Sequence, residues 1–318
     1  MSRDAAPATY TNPVYPHYFA DPFVLEVDGT YYAYGTGQSS FRNGRVFEVL
    51  QSDDLVHWQS LGGALEPLGA AYRDYWAPEV ARHDAHFYMY YSAGVGDAGH
   101  RLRVAVSDHP RPVRGYRRGA DRRRSVQHRR EPFRDDDGQW YLFYARDFLD
   151  GERVGTALAV DRLSDMTRLT GQPATVLRAS SDWQLYARDR RMYGGIHDWH
   201  TLEGPFVVKR GGRYYCFYSG GAWPEPSYGV SYAVADHPMG PWHEPRADGP
   251  TVLRTIPGRV IGPGHNSVVT GPDGQDYLVY HAWDAEKTGR RMCIDPLEWT
   301  PEGPITSGPS FTPRAVPR

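Results

Sequence analysis

Ala20-Asp21-Pro22-Phe23-Val24-Leu25, followed by the turn pair Asp28-Gly29 and then by Tyr31-Tyr32-Ala33-Tyr34-Gly35, is the stretch whose reading decides the fold. It is a short apolar strand, a tight turn and an aromatic strand. Asp-Gly is the chemistry of a two-residue hairpin, because both central residues need positive φ. The same unit recurs four more times. Aromatic strands lie at Phe87-Tyr88-Met89-Tyr90-Tyr91, Trp140-Tyr141-Leu142-Phe143-Tyr144, Tyr214-Tyr215-Cys216-Phe217-Tyr218 and Tyr277-Leu278-Val279-Tyr280-His281. They follow turns at Asp84-Ala85, Asp137-Gly138, Gly211-Gly212 and Asp273-Gly274. Opening strands precede each turn at Ala77-Pro78-Glu79-Val80, Glu131-Pro132-Phe133, Glu203-Gly204-Pro205-Phe206-Val207 and His265-Asn266-Ser267-Val268-Val269. Segments such as Asp53-Asp54-Leu55-Val56-His57-Trp58 and Asp295-Pro296-Leu297-Glu298-Trp299 read as outer strands.

About four strands per unit, five times over, predicts an all-β chain folded as a five-bladed β-propeller. A β-sandwich of ordinary hairpins is the alternative, but sandwich strands need share no motif. In a propeller the innermost strands run along the central axis, so the start of each points into one mouth. Asp21, Glu203 and His265 therefore converge despite their separation. Nothing resembling a linker interrupts the repeats, so residues 12–305 read as one propeller domain, with 1–11 and 306–318 as terminal extensions.

The composition agrees. The 318 residues include 34 Gly, 26 Pro and 23 Tyr, a turn- and strand-rich mixture unsuited to a helical bundle. No apolar run approaches the roughly 18 residues of a membrane helix, so no membrane partner is expected. Met1 to Thr11 holds no apolar leader core, which predicts a cytoplasmic location. Cys216 and Cys293 each sit in a strand-like run and read as buried free thiols.

The motifs Ala20-Asp21-Pro22-Phe23, Tyr75-Trp76-Ala77-Pro78-Glu79, Leu202-Glu203-Gly204-Pro205-Phe206 and Gly264-His265-Asn266-Ser267 open successive blades. In that order they resemble glycoside hydrolase family 43, over roughly residues 12–305. The resemblance implies an inverting glycosidase of arabinose- or xylose-containing oligo- or polysaccharides. An α-L-arabinofuranosidase heads the expectation, with β-xylosidase or endo-arabinanase as alternatives. Inversion needs one carboxylate to activate water and one carboxylic acid to protonate the leaving oxygen. The resemblance assigns Asp21 as general base and Glu203 as general acid. Trp76 and Trp199, beside blade starts, are candidate sugar-stacking faces. His265 resembles the family's axial histidine, a candidate substrate contact that in many members lies near a calcium or water cluster. No cofactor is required, and a structural calcium held through water near His265 is the one ion implied. His197 and His200 flank Trp199 without a further ligand set, so zinc is not expected. His17 reaches the pocket only if its loop folds inward.

One segment departs from the pattern. Residues 111–130 carry nine Arg and one Asp in a chain whose net charge is −2. The family opens its third blade with an Asp that holds up the acid's pKa, and here Arg129 stands in that place. A cation there favours ionised Glu203, which keeps a catalytically impaired sugar-binding propeller as the non-enzyme alternative. The Arg run carries no nucleic-acid motif, so no nucleic-acid partner is expected. With suitable codons, Val126 to Arg130 read one base later spells Phe-Ser-Ile-Asp-Ala, and Arg111 to Tyr116 spells Gly-Pro-Phe-Val-Asp. A displaced reading frame, bounded by two compensating single-base changes, accounts for both ends of the run. On that reading the third blade loses its own opening strand and the outer strand before it, while Pro132 to Tyr144 still forms a hairpin.

Overall fold

The computed structural model describes residues 8–37, 44–96, 99–110, 117–118 and 127–318, with only the backbone described at 117–118 and 127–130. Five antiparallel blades follow one another along the chain, three of them separate four-stranded sheets and the third and fourth joined into one nine-stranded sheet. The first blade comprises Ala20–Val27, Thr30–Thr36, Val46–Ser52 and Gln59–Leu65. The second comprises Asp74–His83, His86–Gly94, Arg101–Ser107 and the short Arg117–Arg118. The third has Gln127–Arg134, Trp140–Phe148, Gly155–Asp165 and Ala174–Leu177. The fourth has Gly195–Arg210, Arg213–Gly220 and Gly229–Ala235, and the fifth Ile261–Thr270, Asp276–Trp283, Arg290–Thr300 and Gly303–Thr306. This is the five-bladed propeller read from the repeats. Among the described residues no helix is long and apolar enough to cross a membrane. The terminal segments pair with each other, Thr9 opposite Ala315 and Tyr10 opposite Arg314, and bury Tyr10 and Val316 against the first and fifth blades.

All five hairpins form, but their turns divide into two kinds. Val27 pairs with Thr30, His83 with His86 and Arg210 with Arg213, leaving two-residue loops. Asp28 and Gly29 both take positive φ, as do Gly211 and Gly212. The Asp137-Gly138 and Asp273-Gly274 pairs instead lie in five-residue loops, between Arg134 and Trp140 and between Thr270 and Asp276. One further expectation is refined and one is borne out. Asp53 to Trp58 is a turn leading into an outer strand: the Asp54 carboxylate accepts the amides of Val56 and His57, and the Trp58 indole N–H is bonded to the Leu55 carbonyl. Cys216 and Cys293 are free and buried, and burial pushes both thiols well above their ordinary range.

The inner strands share a device that local patterning does not announce. Each breaks register near the start of its pairing with the second strand of its blade, between Ala20 and Phe23, Trp76 and Glu79, His128 and Arg130, Glu203 and Phe206, and Gly264 and Ser267. In four of these bulges the chain enters the left-handed region, at Asp21 (φ 51°), Ala77 (47°), Gly204 (57°) and His265 (52°). Such a conformation is costly for a residue with a Cβ and persists where surrounding contacts enforce it. The contacts come from the neighbouring blade. A bulged amide cannot join the ladder, so it needs another acceptor. Ala77 N–H donates to Thr36 Oγ1 (2.8 Å), His265 N–H to Ser219 Oγ (2.7 Å) and Asp21 N–H to His281 Nδ1 (3.0 Å). Each acceptor lies on the second strand of the preceding blade, the fifth blade preceding the first. The bulges thus latch the ring while turning the blade starts into the mouth.

The third blade corrects the expectation that its opening strand is lost. Gln127–Arg134 pairs with Trp140–Phe148 along its length, and Arg117–Arg118 pairs with Ala105 and Val106. Ladder hydrogen bonds are made by the backbone and tolerate any residue other than proline, so Arg-rich sequence still builds them. Arg129 falls at the bulge between His128 and Arg130; its side chain lies outside the described residues, as do residues 111–116 and 119–126.

Candidate active site

One cavity of about 340 Å³ opens at the bulged mouth, lined by residues that include Asp21, Thr36, Trp76, Trp199, Glu203 and Arg290. Asp21 and Glu203 are buried, at 2% and 8% exposure, so both carboxyls meet whatever enters with little bulk water between. The Asp21 carboxylate is densely held. Thr36 Oγ1 donates to its Oδ2 (2.7 Å), Arg290 Nη1 to its Oδ1 (3.3 Å), and His265 Nδ1 lies 3.2 Å from Oδ1. His281 Nδ1 is also 3.4 Å from Oδ1, but the Asp21 amide points at that nitrogen, so His281 acts there as an acceptor. Arg290 is fixed in turn: Nε and Nη2 donate to the Tyr18 hydroxyl, and the guanidinium lies over the Trp223 ring at 4.4 Å. Trp223 stacks on Trp283.

Glu203 has different company. The Tyr228 hydroxyl donates to its Oε1 at 2.7 Å. Its own strand continues into a bulge at Gly204, where a Cβ would lie 3.1 Å from the His265 ring. The imidazole of the fifth blade therefore sits against Asp21 on one side and against the backbone beside Glu203 on the other.

The third and fourth blades are stitched together at the mouth by a short parallel pairing of Gly155 with His200 and Thr156 with Thr201. Only glycine allows it: a Cβ on Gly155 would stand 1.9 Å from the His200 carbonyl oxygen. The stitch sets Thr156, Trp199 and Thr201 in the cavity wall. Trp199 is 1% exposed, bonded through Nε1 to Thr156 Oγ1 (3.3 Å), stacked by Tyr193 and covered by Arg190. It is a wall, not an open platform. Trp76 lines the opposite side and rests on the buried ring of His100, centroids 3.4 Å apart and 12° between planes. Asp147 completes the rim, accepting from Thr156 (2.8 Å) and Tyr193 (2.6 Å).

The structure brings together Asp21, Glu203, Trp76 and Trp199 in one cavity, with His265 in contact with Asp21 behind it. His17 is exposed and packs edge-on to Tyr15, so its neighbour Tyr18 reaches the cavity in its place. His197 stands edge-on to Trp199 and His200 bonds the Asp198 carbonyl. Among the described residues no group of three or more His, Cys, Asp or Glu is gathered to hold a metal. His265 Nδ1 faces the Asp21 carboxylate that Thr36 and Arg290 also engage; calcium takes six to eight oxygen ligands, and the ion near His265 would have to draw most of them from water, as the resemblance implies. The sequence reading missed Arg290, Thr36, Trp223, Tyr228 and His281. None stands in a blade-opening motif, and the only signal for two of them is their position near the end of a strand whose partner starts a blade.

A five-bladed propeller whose mouth holds buried carboxyls between indole walls defines a carbohydrate-processing protein. The chain matches Glycosyl hydrolases family 43 over residues 10–305 and belongs to that family; it is a glycoside hydrolase acting on O-glycosyl bonds. It is 29% identical to the beta-D-galactofuranosidase xynD of Aspergillus niger, over 92% of this chain and 83% of the relative. It is 28% identical to an extracellular exo-alpha-(1->5)-L-arabinofuranosidase of Streptomyces chartreusis, over 87% and 83%. The crystal structure of a thermostable family-43 glycoside hydrolase superposes with a TM-score of 0.82 at 32% identity, covering 97% of this chain and 99% of the other. These relatives overturn the cytoplasmic expectation. The Streptomyces enzyme and relatives from Cellvibrio japonicus and Thermotoga petrophila are all named extracellular, which points to secretion. The short stretch before the first blade was a poor guide, since a propeller's own residues carry no address.

Proposed function

We propose that the protein is an exo-acting, inverting α-L-arabinofuranosidase, with Asp21 as general base and Glu203 as general acid. The observation that carries the reading is that both buried carboxyls line one small cavity from non-adjacent blades, with His265 between Asp21 and the Glu203 backbone. In the reaction a water oxygen bonds to the anomeric carbon as the carbon–oxygen bond to the leaving group breaks. Asp21 takes the water's proton and Glu203 gives its own to the leaving oxygen. The donors around Asp21 favour its ionised form. Trp76 and Trp199 bound the sugar, and the small volume suits a terminal residue better than the interior of a polymer. A furanoside is favoured because the Aspergillus and Streptomyces relatives are named for furanosidase activities.

The test is turnover of 4-nitrophenyl α-L-arabinofuranoside, β-D-xylopyranoside and β-D-galactofuranoside, with proton NMR of the first-formed sugar. Arabinofuranoside cleavage with an inverted anomer is expected. Preference for xyloside would move the enzyme to the β-xylosidase alternative. A retained anomer would exclude the water-activating role of Asp21, and no turnover of the three glycosides would overturn the arabinofuranosidase reading.

A further inference from the structure

Tyr228 is fully buried immediately before the third strand of the fourth blade, and nothing in the blade-opening motifs marks it. Three contacts fix its ring and hydroxyl. Its amide closes a turn on the Glu225 carbonyl (3.1 Å), and its ring lies parallel to His281, 7° between planes and 6.0 Å between centroids. Gly264 gives the ring its space: a Cβ there would lie 2.2 Å from Tyr228 Cε1. The hydroxyl, so placed, donates to Glu203 Oε1 at 2.7 Å. Its stacking partner His281 accepts the amide of Asp21, so the two carboxyl-bearing residues are seated by neighbouring rings.

Resting on the reading of Glu203 as the acid, we propose that Tyr228 is the positioning residue of that acid. By donating to Oε1 it fixes the carboxyl plane and disfavours that oxygen as the carrier of the transferable proton. A carboxylic acid has one proton, and an oxygen that accepts a hydrogen bond is disfavoured as its carrier. A cation in this place would hold Glu203 ionised and useless as an acid, whereas a neutral hydroxyl orients it at a smaller electrostatic cost.

The variant is Tyr228→Phe, which retains the ring and its stack. It is measured beside wild type and Glu203→Gln on the methyl and the 2,4-dinitrophenyl glycoside of the sugar that wild type cleaves. The dinitrophenolate leaves without a proton, so only the methyl glycoside depends on the acid. For Tyr228→Phe, kcat/KM on the methyl glycoside is expected to fall about tenfold and on the dinitrophenyl glycoside less than about twofold. The alkaline limb of its pH profile should move up by about one unit, because the carboxylate loses a donor. 3-Fluorotyrosine at position 228, a stronger donor in the same space, should move that limb down and serves as the probe if Tyr228→Phe folds poorly. Equal losses on both glycosides with an unmoved limb, or an unmoved limb with fluorotyrosine, would overturn the positioning role while Glu203→Gln still loses the methyl glycoside. If Glu203→Gln keeps its rate on that substrate, the acid assignment itself fails and the positioning role falls with it.

Discussion

Asp21 and Glu203 open inner strands of the same design, yet their surroundings differ in kind. Asp21 is itself the left-handed residue of its bulge and receives Thr36, Arg290 and His265 on its oxygens. Glu203 is the residue before its bulge and receives the neutral hydroxyl of Tyr228 on one oxygen. One blade start gathers a guanidinium, a hydroxyl and an imidazole on its carboxyl, while at the other a neutral hydroxyl is hydrogen-bonded to one carboxyl oxygen. A third carboxyl shows what burial does when it dominates. Glu131, on the inner strand of the third blade, is bonded to Glu79 of the second, and burial pushes it up to about 8. Environment, more than residue type, separates a base from an acid.

The strongest way to break the comparison is to neutralise each side. Asp21→Asn and Glu203→Gln are each expected to lose about 10² to 10⁴ in kcat/KM on an unactivated glycoside. The Glu203→Gln loss should shrink with a dinitrophenyl leaving group, whereas Asp21→Asn should not recover. Equal responses to the leaving group would mean that the two carboxyls do not divide the work. Removing only the charge beside the base is a milder cut. Arg290→Met should shift the acidic limb of the pH profile upward and cost about tenfold in kcat/KM near neutrality, because an ionised Asp21 loses its cation. A limb that stays in place would show that Thr36 and His265 suffice.

The smallest effect sharpens the third case. Between the ordinary carboxyl value of 4.5 and the raised value of about 8, folded Glu131 holds a proton that the unfolded chain releases. Stability therefore declines as pH rises through that window. Glu131→Gln should remove the decline and raise Tm at pH 8.5 by about 2–4 °C for each kcal/mol recovered, with little change at pH 4.5. Parallel pH dependence of Tm in wild type and variant would show that Glu131 is not held neutral.

Local chemistry was enough for much of the molecule. Five aromatic strands behind five turns specify five hairpins, because a strand face and a tight turn are read from neighbouring residues. The motifs at the blade starts likewise marked Asp21, Glu203, Trp76 and His265, with Trp199 beside one of them, and the propeller's geometry implied that Asp21, Glu203 and His265 meet. Arg129 marks the limit of such reading: a residue can be wrong for the site and still sit in a regular strand, since backbone pairing ignores side-chain charge. What only the tertiary structure decided is who stands beside each carboxyl. Arg290 is 269 residues from Asp21, and Tyr228 is 25 from Glu203 with a hairpin between. Thr36, Ser219 and His281 latch bulges of the next blade round the ring. These partnerships depend on the register of one blade against the next, which is set when the ring closes and the bulged amides find acceptors. No periodicity along the chain encodes that register, because the contacts that fix it run between sheets.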